Sequence, residues 1–204
     1  MENALIIFVR NLEKGKVKKR LAQSIGEAKT LEVYNYLLTY TRDVVLPCKC
    51  SLFIFYSHYM HINDVFDDDV FSKHVQEGND LGEKMLNAFK KVFELGCKNV
   101  CVIGSDCYEL ENEILHEAFD QLHSKDIVIG PAIDGGYYLL GMKKLYPDVF
   151  KNKEWGTSSV LDDTLDAIAK TGVSCSQLRE LNDIDTIEDL LKTDILTKLE
   201  EEMQ

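Results

Sequence analysis

Short apolar runs alternate with segments of helical periodicity along the whole chain of 204 residues, and this alternation restricts the fold more than any other feature. The run at residues 4–9 (ALIIFV) is apolar without a break, which is typical of a strand covered on both faces in a parallel sheet. Strands are also predicted at residues 51–56, 99–103, 126–130 and 137–142, with a weaker one near 174–180.

Helical spacing of apolar residues fills the intervals between these runs. Residues 26–45 carry such spacing and end before Pro47, and Asn79 is predicted to cap a second helix that Gly96 stops. Further helices are predicted at residues 112–122, at 158–170 and from 186 onward. This alternation at crossover length predicts an α/β fold, a three-layer sandwich with a mainly parallel sheet and helices on both faces. No repeat or linker divides the chain, so we expect a single domain over residues 1–204.

Composition excludes several classes of partner. The chain has 23 Lys and Arg against 35 Asp and Glu, a formal net charge of −12, which disfavours bulk binding to nucleic acid or to an anionic membrane. No apolar run approaches the roughly 18 residues of a membrane span, and no cationic leader region precedes the first predicted strand. We therefore expect a cytoplasmic protein. The 6 cysteines form no C-x-x-C pair, so free thiols are expected rather than zinc or disulfides.

A basic loop follows the first predicted strand. Residues 10–20 contain six basic side chains and one acidic side chain, a local charge of +5 that leaves −17 on the rest of the chain. A basic loop that contains Gly15 and lies between a strand and a helix N-terminus is where open α/β sheets hold phosphates. The Walker pattern is absent. A solvated basic turn is an equally good interpretation of the charge alone.

Carboxylates follow three of the predicted elements. Asp106 comes after the strand at 99–103, where a hard oxygen ligand suits Mg²⁺ or Mn²⁺, although a lone Asp there is as often a helix cap. Asp183 is the second candidate metal ligand, while Asp185 or Thr186 is predicted to cap the last helix. Asp134 is a competing metal donor, and the two glycines after it also suit a simple tight turn.

Six motifs in order make the chain resemble a known family. They are Phe8-x-Arg10 with Gly15-Lys16-Val17-Lys18-x-Arg20; Gln76-x-Gly78-x-Asp80-Leu81-Gly82-Glu83; Gly104-Ser105-Asp106-Cys107; Gly130-Pro131-Ala132-x-Asp134-Gly135-Gly136-Tyr137-Tyr138; Trp155-Gly156-Thr157; and Asp183-x-Asp185-Thr186-x-Glu188-Asp189. The order resembles the bacterial glycosyltransferase-A-like family labelled DUF2064. That family is related to nucleotide-diphospho-sugar transferases and, more distantly, to molybdenum-cofactor and phospholactate guanylyltransferases.

The resemblance implies roles for individual residues. The implied nucleotide and phosphate contacts are Arg10, Gly15, Lys16, Lys18, Arg20 and Ser105. Asp106 and Asp183 are implied as ligands of a divalent cation, Mg²⁺ or Mn²⁺, with Asp106 and Asp134 as the catalytic carboxylates. The acceptor side is predicted from position after the later strands and consists of Gly135, Gly136, Tyr137, Trp155 and Thr157.

This resemblance implies a metal-dependent glycosyltransferase that moves a sugar from a nucleoside diphosphate to a small-molecule acceptor. In that mechanism loop cations and the metal offset charge on the departing diphosphate, and Asp134 takes a proton from the acceptor. A nucleotidyltransferase that releases pyrophosphate is the alternative. A second alternative is a degenerate nucleotide-binding protein without turnover, because Leu12, Lys19 and Tyr108 replace the family's usual Pro, Thr and Pro.

Overall fold

The computed structural model describes residues 2–202 and contains one seven-stranded sheet. The strands are β1 (Asn3–Val9), β2 (Ser51–Tyr56), β3 (Phe71–Val75), β4 (Asn99–Ile103), β5 (Ile127–Pro131), β6 (Tyr137–Met142) and β7 (Cys175–Gln177). Their spatial order is β3-β2-β1-β4-β6-β5-β7. Only β6 runs against its two neighbours, so the other strands place their carboxyl ends at one common edge.

Helices cover both faces of this sheet. They are α1 (Lys19–Ile25), α2 (Glu27–Val45), α3 (Leu81–Glu94), α4 (Asn112–Ser124), α5 (Val160–Thr171), α6 (Ile187–Leu190) and α7 (Ile195–Glu202), with a 3-10 helix at Pro147–Phe150. Side chains of α2 and α4 pack on one face, and those of α3, α5 and the 3-10 helix pack on the other. A smaller apolar cluster joins α1, α6 and α7 to the outer side of α2. The prediction of a three-layer α/β fold with a mainly parallel sheet is confirmed.

The side chains of β1 show why its run is apolar throughout. Leu5 and Ile7 pack with α2 and α4, whereas Ala4 and Ile6 pack toward α3, and all four are 0% exposed. A strand buried on both faces needs no polar alternation.

Several element boundaries differ from the sequence expectation. Strand β3 was not predicted, and the weak last strand is shortened to β7. The closing helix is two short helices, α6 and α7. The cap of α3 is Asp80, which accepts a hydrogen bond from the Glu83 amide at 2.8 Å, and the predicted cap Asn79 instead donates to the Glu83 carboxylate.

Within residues 2–202 no helix is both long enough and apolar enough to cross a membrane.

Candidate functional site

The loop from Arg10 to Lys18 is fastened to its neighbours by buried polar groups. The Asn11 side chain is 4% exposed, and its Oδ1 accepts bonds from Ser57 Oγ at 3.0 Å and from the His58 amide at 2.9 Å. Its Nδ2 donates to the Tyr59 carbonyl at 2.9 Å. These bonds join the ends of β1 and β2, so the start of the basic loop has a fixed position.

Lys18 is the central charged group of the site. It has a left-handed backbone with φ of 45°, and its side chain is only 5% exposed. Its Nζ lies 2.6 Å from Asp106 Oδ2 and 3.3 Å from Asp185 Oδ1. A buried ammonium is tolerated only when it is paired in this way. Burial alone would lower the pKa of Lys18, but the charge and hydrogen bond of Asp106, together with Asp185, raise it above its ordinary value, so the lysine stays charged.

Asp106 and Asp183 are brought together by the backbone. The Ile184 amide donates to the Asp106 carbonyl at 2.9 Å, and the Cys107 thiol faces the Asn182 carbonyl at 3.7 Å. Residues 182–185 therefore run beside the loop that follows β4.

The two carboxyl groups have opposite protonation tendencies. Burial tends to raise the pKa of Asp106, but the charge and hydrogen bond of Lys18, with the charge of Arg10, lower it overall. Burial first, and then the negative charges of Asp106 and Asp134, raise the pKa of Asp183 to about 7. Asp183 Oδ1 is also buried without a hydrogen-bond partner. A buried carboxyl oxygen without a partner has room for a proton, a water molecule or a cation.

Asp185 and Thr186 have separate roles. Thr186 caps α6 in a capping box with Asp189, as one of the two sequence alternatives predicted. Asp185 does not cap a helix, because its carboxylate binds Lys18 and lies 3.7 Å from Arg20 Nη1. The segment therefore holds the basic loop against the carboxylate cluster.

Asp134 lies on an exposed turn between β5 and β6. Its Oδ1 accepts a bond from the Gly136 amide at 2.8 Å. Gly135 has a φ of 86°, and a Cβ there would lie 2.1 Å from the Ser158 carbonyl oxygen. Asp134 therefore forms a tight turn, as one of its two interpretations predicted. It also lies near Asp183, since its negative charge contributes to the raised pKa of Asp183.

The residues expected on the acceptor side mainly make packing and hydrogen-bond contacts with neighbouring parts of the protein. The Trp155 ring covers Gly82, where a Cβ would lie 2.6 Å from the ring. The Tyr137 hydroxyl faces Met85 Sδ at 3.8 Å, and Thr157 Oγ1 donates to the Glu154 carbonyl at 2.8 Å. The close approach of Gly135 to Ser158 joins this segment to the Asp134 turn.

The remaining basic side chains of the loop are exposed, and several have acidic partners. Lys16 lies 2.5 Å from Glu13, and Lys14 lies 3.9 Å from Glu27 beside Gly15. Arg10 is exposed next to Asp106. Ser105 is buried, with its Oγ 3.2 Å from the Tyr34 hydroxyl.

Comparison with known proteins identifies the family. The pattern of DUF2064, described as an uncharacterized protein conserved in bacteria, matches residues 49–157. A crystal structure of a candidate nucleotide-diphospho-sugar transferase from Desulfovibrio desulfuricans G20 is 32% identical with a TM-score of 0.86, over 93% of this chain and 84% of that one. The chain belongs to the DUF2064 family. Its suspected kinship with nucleotide-diphospho-sugar transferases is thereby confirmed.

Two more distant structures share the fold of this DUF2064 protein. The inositol-1-phosphate CTP transferase of T. maritima is 15% identical with a TM-score of 0.59, over 98% of this chain and 97% of that one. The 4-diphosphocytidyl-2C-methyl-D-erythritol synthase of Anaerococcus prevotii DSM 20548 is 12% identical with a TM-score of 0.60, over 96% of this chain and 98% of that one. A sequence search of curated proteins finds no match.

The carboxylates of the DUF2064 protein fit a divalent cation of the Mg²⁺ type. Within residues 2–202 no three His, Cys, Asp or Glu side chains are grouped closely enough to form a complete protein cage. Mg²⁺ does not need one, because it is usually held by one or two carboxylates plus water and substrate phosphates. Asp106, which is 34% exposed, and Asp183, whose Oδ1 is buried without a hydrogen-bond partner, are the two carboxylates that would hold such an ion.

Sequence reasoning missed two structural supports of the DUF2064 site. Tyr34 is one of the buried residues of α2, and its hydroxyl also accepts a hydrogen bond from the Arg10 amide at 3.0 Å. Tyr108 was treated only as a departure from the family, yet its hydroxyl donates to Asp194 at 2.8 Å and accepts from Lys198 at 2.8 Å. A tyrosine among apolar helix positions is a weak signal for the first, and no local signal indicates the second.

Proposed function

We propose that the chain is a metal-dependent transferase that takes a sugar from a nucleoside-diphosphate sugar to a small hydroxylated acceptor. The observation that carries the proposal is the ion cluster at the carboxyl edge, where Lys18 lies between Asp106 and Asp185 beside the orphaned oxygen of Asp183. Cations and carboxylates at the carboxyl ends of parallel strands are typical of ligand sites in open α/β sheets.

The basic side chains would bind the diphosphate. Arg10 and Arg20 are exposed at this edge, and Lys18 lies within the cluster. Their fixed positive charges oppose the charge that develops on a departing diphosphate. Exposed Lys16 would join them only by exchanging its Glu13 partner for phosphate.

Asp106 and Asp183 would hold the divalent cation. When bound, such an ion offsets negative charge on the phosphate oxygens. Asp134 is the carboxylate that would accept the proton of the acceptor hydroxyl. Its bond to the Gly136 amide uses Oδ1, which leaves Oδ2 for that role. Gly135 and Gly136 keep this turn close to Ser158 and to the Asp134 carboxylate, and Tyr137, Trp155 and Thr157 would form the wall on the acceptor side.

Nucleotidyl transfer is the second candidate function. The observation that favours it is the fold shared with the inositol-1-phosphate CTP transferase and the 4-diphosphocytidyl-2C-methyl-D-erythritol synthase. The same cations would then bind a triphosphate, and pyrophosphate would leave. The two activities differ in product: release of nucleoside diphosphate marks sugar transfer, and release of pyrophosphate marks nucleotidyl transfer.

Calorimetry with a panel of nucleotides and nucleotide sugars, with and without Mn²⁺, tests the proposal first. We expect binding that Mn²⁺ strengthens. Failure of every member of the panel to bind would contradict both transferase functions.

Asp106→Asn tests the metal assignment. The substitution preserves side-chain size but removes one of the two counter-charges of buried Lys18, so we expect a folded but less stable protein that has lost metal-dependent product release. Asp120→Asn, at an exposed position of α4, is the matched control and should keep full activity. If the wild type and Asp106→Asn bind nucleotide equally and neither releases product, the degenerate binder replaces both enzymes.

A further inference from the structure

Lys18 already binds the Asp106 carboxylate that the proposed metal ion would use. Its Nζ lies 2.6 Å from Asp106 Oδ2, at hydrogen-bonding distance, and the lysine side chain is 5% exposed. Asp106 itself is 34% exposed, so its carboxylate can be reached from solvent. A cation from solvent can therefore reach Asp106. The positive charge of Lys18, which is already bound there, opposes its binding.

Two cations at one carboxylate repel each other strongly. The repulsion between two charges grows as their separation and the local dielectric constant fall, and a divalent ion increases it further. The side chain of Lys18 is buried, so its ammonium cannot move into solvent without losing that packing. It can only move between acceptors within its reach.

Asp185 gives the ammonium a second anchor. Its Oδ1 lies 3.3 Å from Lys18 Nζ, and it belongs to a segment held by the Thr186 capping box. If Lys18 leaves Asp106 for a phosphate oxygen, the contact with Asp185 can keep the ammonium at the site. The cluster therefore allows two arrangements of the same lysine.

We propose that Lys18 is a built-in counter-ion that keeps Asp106 closed to divalent metal until a phosphate ligand draws the ammonium away. This inference rests on the proposed function and deepens it, because it states an order of binding. The phosphate ligand binds first or together with the metal, and the unliganded chain binds metal weakly. Lys18 therefore has two roles, phosphate contact and exclusion of premature metal.

Titration of Mn²⁺ into the chain without nucleotide, followed by the electron paramagnetic resonance signal of free Mn²⁺, tests this order. Lys18→Met removes the competing charge and should tighten Mn²⁺ binding by about tenfold or more. Lys18→Arg keeps the charge and should bind Mn²⁺ as weakly as the wild type. Lys98→Met, at the opposite edge of the sheet, is the control for general loss of positive charge. The gain in Lys18→Met must disappear in the double variant Lys18→Met with Asp106→Asn.

Circular dichroism decides whether Lys18→Met is folded. If it is folded and binds Mn²⁺ no better than the wild type, the inference is overturned. If it does not fold, the wild type decides: weak binding of Mn²⁺ alone, with binding of a nucleoside diphosphate in EDTA, supports the inference, and tight binding of Mn²⁺ alone overturns it. Failure of the wild type to bind any nucleotide contradicts the proposed function, whereas the difference in Mn²⁺ affinity between Lys18→Met and the wild type still tests the counter-ion.

Discussion

The hydroxyl of Tyr34 shows how one residue of a core helix sets the geometry of the site. It accepts a bond from the Arg10 amide at 3.0 Å and lies 3.2 Å from both the Arg10 carbonyl and Ser105 Oγ. Burial is the main reason that the pKa of Tyr34 is raised, so the hydroxyl keeps its proton. Arg10 directly follows β1 and Ser105 precedes Asp106, so this hydroxyl fixes the cationic and acidic sides of the cluster relative to each other.

Tyr34→Phe should therefore affect both stability and binding. The change leaves the Arg10 amide without its acceptor, which costs about 1–3 kcal/mol of unfolding free energy. Urea denaturation measures this loss, and calorimetry should show weaker nucleotide binding. Tyr40→Phe is a matched control on the same helix, because its hydroxyl donates to the Leu110 carbonyl at 2.9 Å. An equal effect of the two variants on binding would show that Tyr34 has no special role in the site.

Among the elements, the segment at residues 182–190 depends on one carboxylate. Asp189 Oδ2 accepts bonds from the Thr186 amide at 3.0 Å and the Thr186 hydroxyl at 2.8 Å, and Oδ1 accepts from Asn182 Nδ2 at 3.0 Å. Partial burial would raise the pKa of Asp189, but these bonds from Asn182, Thr186 and Asp185 lower it to about 2. The short helix α6 thus positions Asp183 and Asp185 through its cap.

Asp189→Asn should destabilise the protein at neutral pH and much less in acid. The folded state lowers the pKa of Asp189 from 3.8 to about 2, so the ionised carboxylate stabilises the fold above 3.8, and this contribution is lost as the pH falls toward 2. We expect a loss of about 2 kcal/mol at pH 7, since bonds to a charged acceptor are the stronger kind. Denaturation of both proteins at neutral and at low pH measures the difference. A difference that does not shrink in acid would contradict the role of ionised Asp189.

Sequence predicts the buried elements better than the exposed ones, for physical reasons. Strands β1, β2 and β4 are covered on both faces, so their apolar runs identify them. Strand β3 (FSKHV) lies at the edge of the sheet and is only partly buried, which leaves a half-polar pattern without a clear period. Local spacing therefore misses it.

In the candidate site too, features that depend on neighbouring residues in the sequence were predictable, and contacts between distant residues were not. Asp106 was predicted because a position just after a strand is a local property of the chain. The pairing of Lys18 with Asp185 joins residues 167 positions apart, and only the tertiary fold decides it. The left-handed backbone of Lys18 also has no local signal, because lysine rarely adopts a positive φ.

Across the whole molecule, the sheet order concentrates opposite charges at one edge. The basic loop after β1 faces the carboxylates after β4 and β7, because β1 and β4 are neighbours and β7 runs parallel to β5. The local charge of +5 is therefore largely balanced in the fold. Lys14, Lys16, Lys18 and Arg20 each lie within 4.0 Å of a carboxylate.

This balance limits how strongly salt should affect ligand binding. Exposed Arg10 and Lys19 have no carboxylate partner within 4.0 Å among residues 2–202, and the charge of Arg10 acts at the Asp106 carboxylate, so we expect Arg10 to contribute much of the attraction for a diphosphate. We expect nucleoside diphosphate affinity to fall by about tenfold or less as ionic strength rises from about 0.01 M to 1 M, where the screening length shortens from about 30 Å to 3 Å.

Calorimetry across a salt series, with wild type and two variants, measures this dependence. Arg10→Gln should bind more weakly at low salt and show a shallower slope, because the attraction that salt screens has been removed. Lys98→Gln, at the far edge of the sheet, removes the same charge and should keep the wild-type slope. If both variants change the slope equally, the change reflects added overall repulsion of the anion, since the net charge of −12 becomes more negative in each, and Arg10 makes no local contribution. If only Arg10→Gln alters the salt dependence of affinity, the attraction for the diphosphate arises at the carboxyl ends of the strands, beside Asp106.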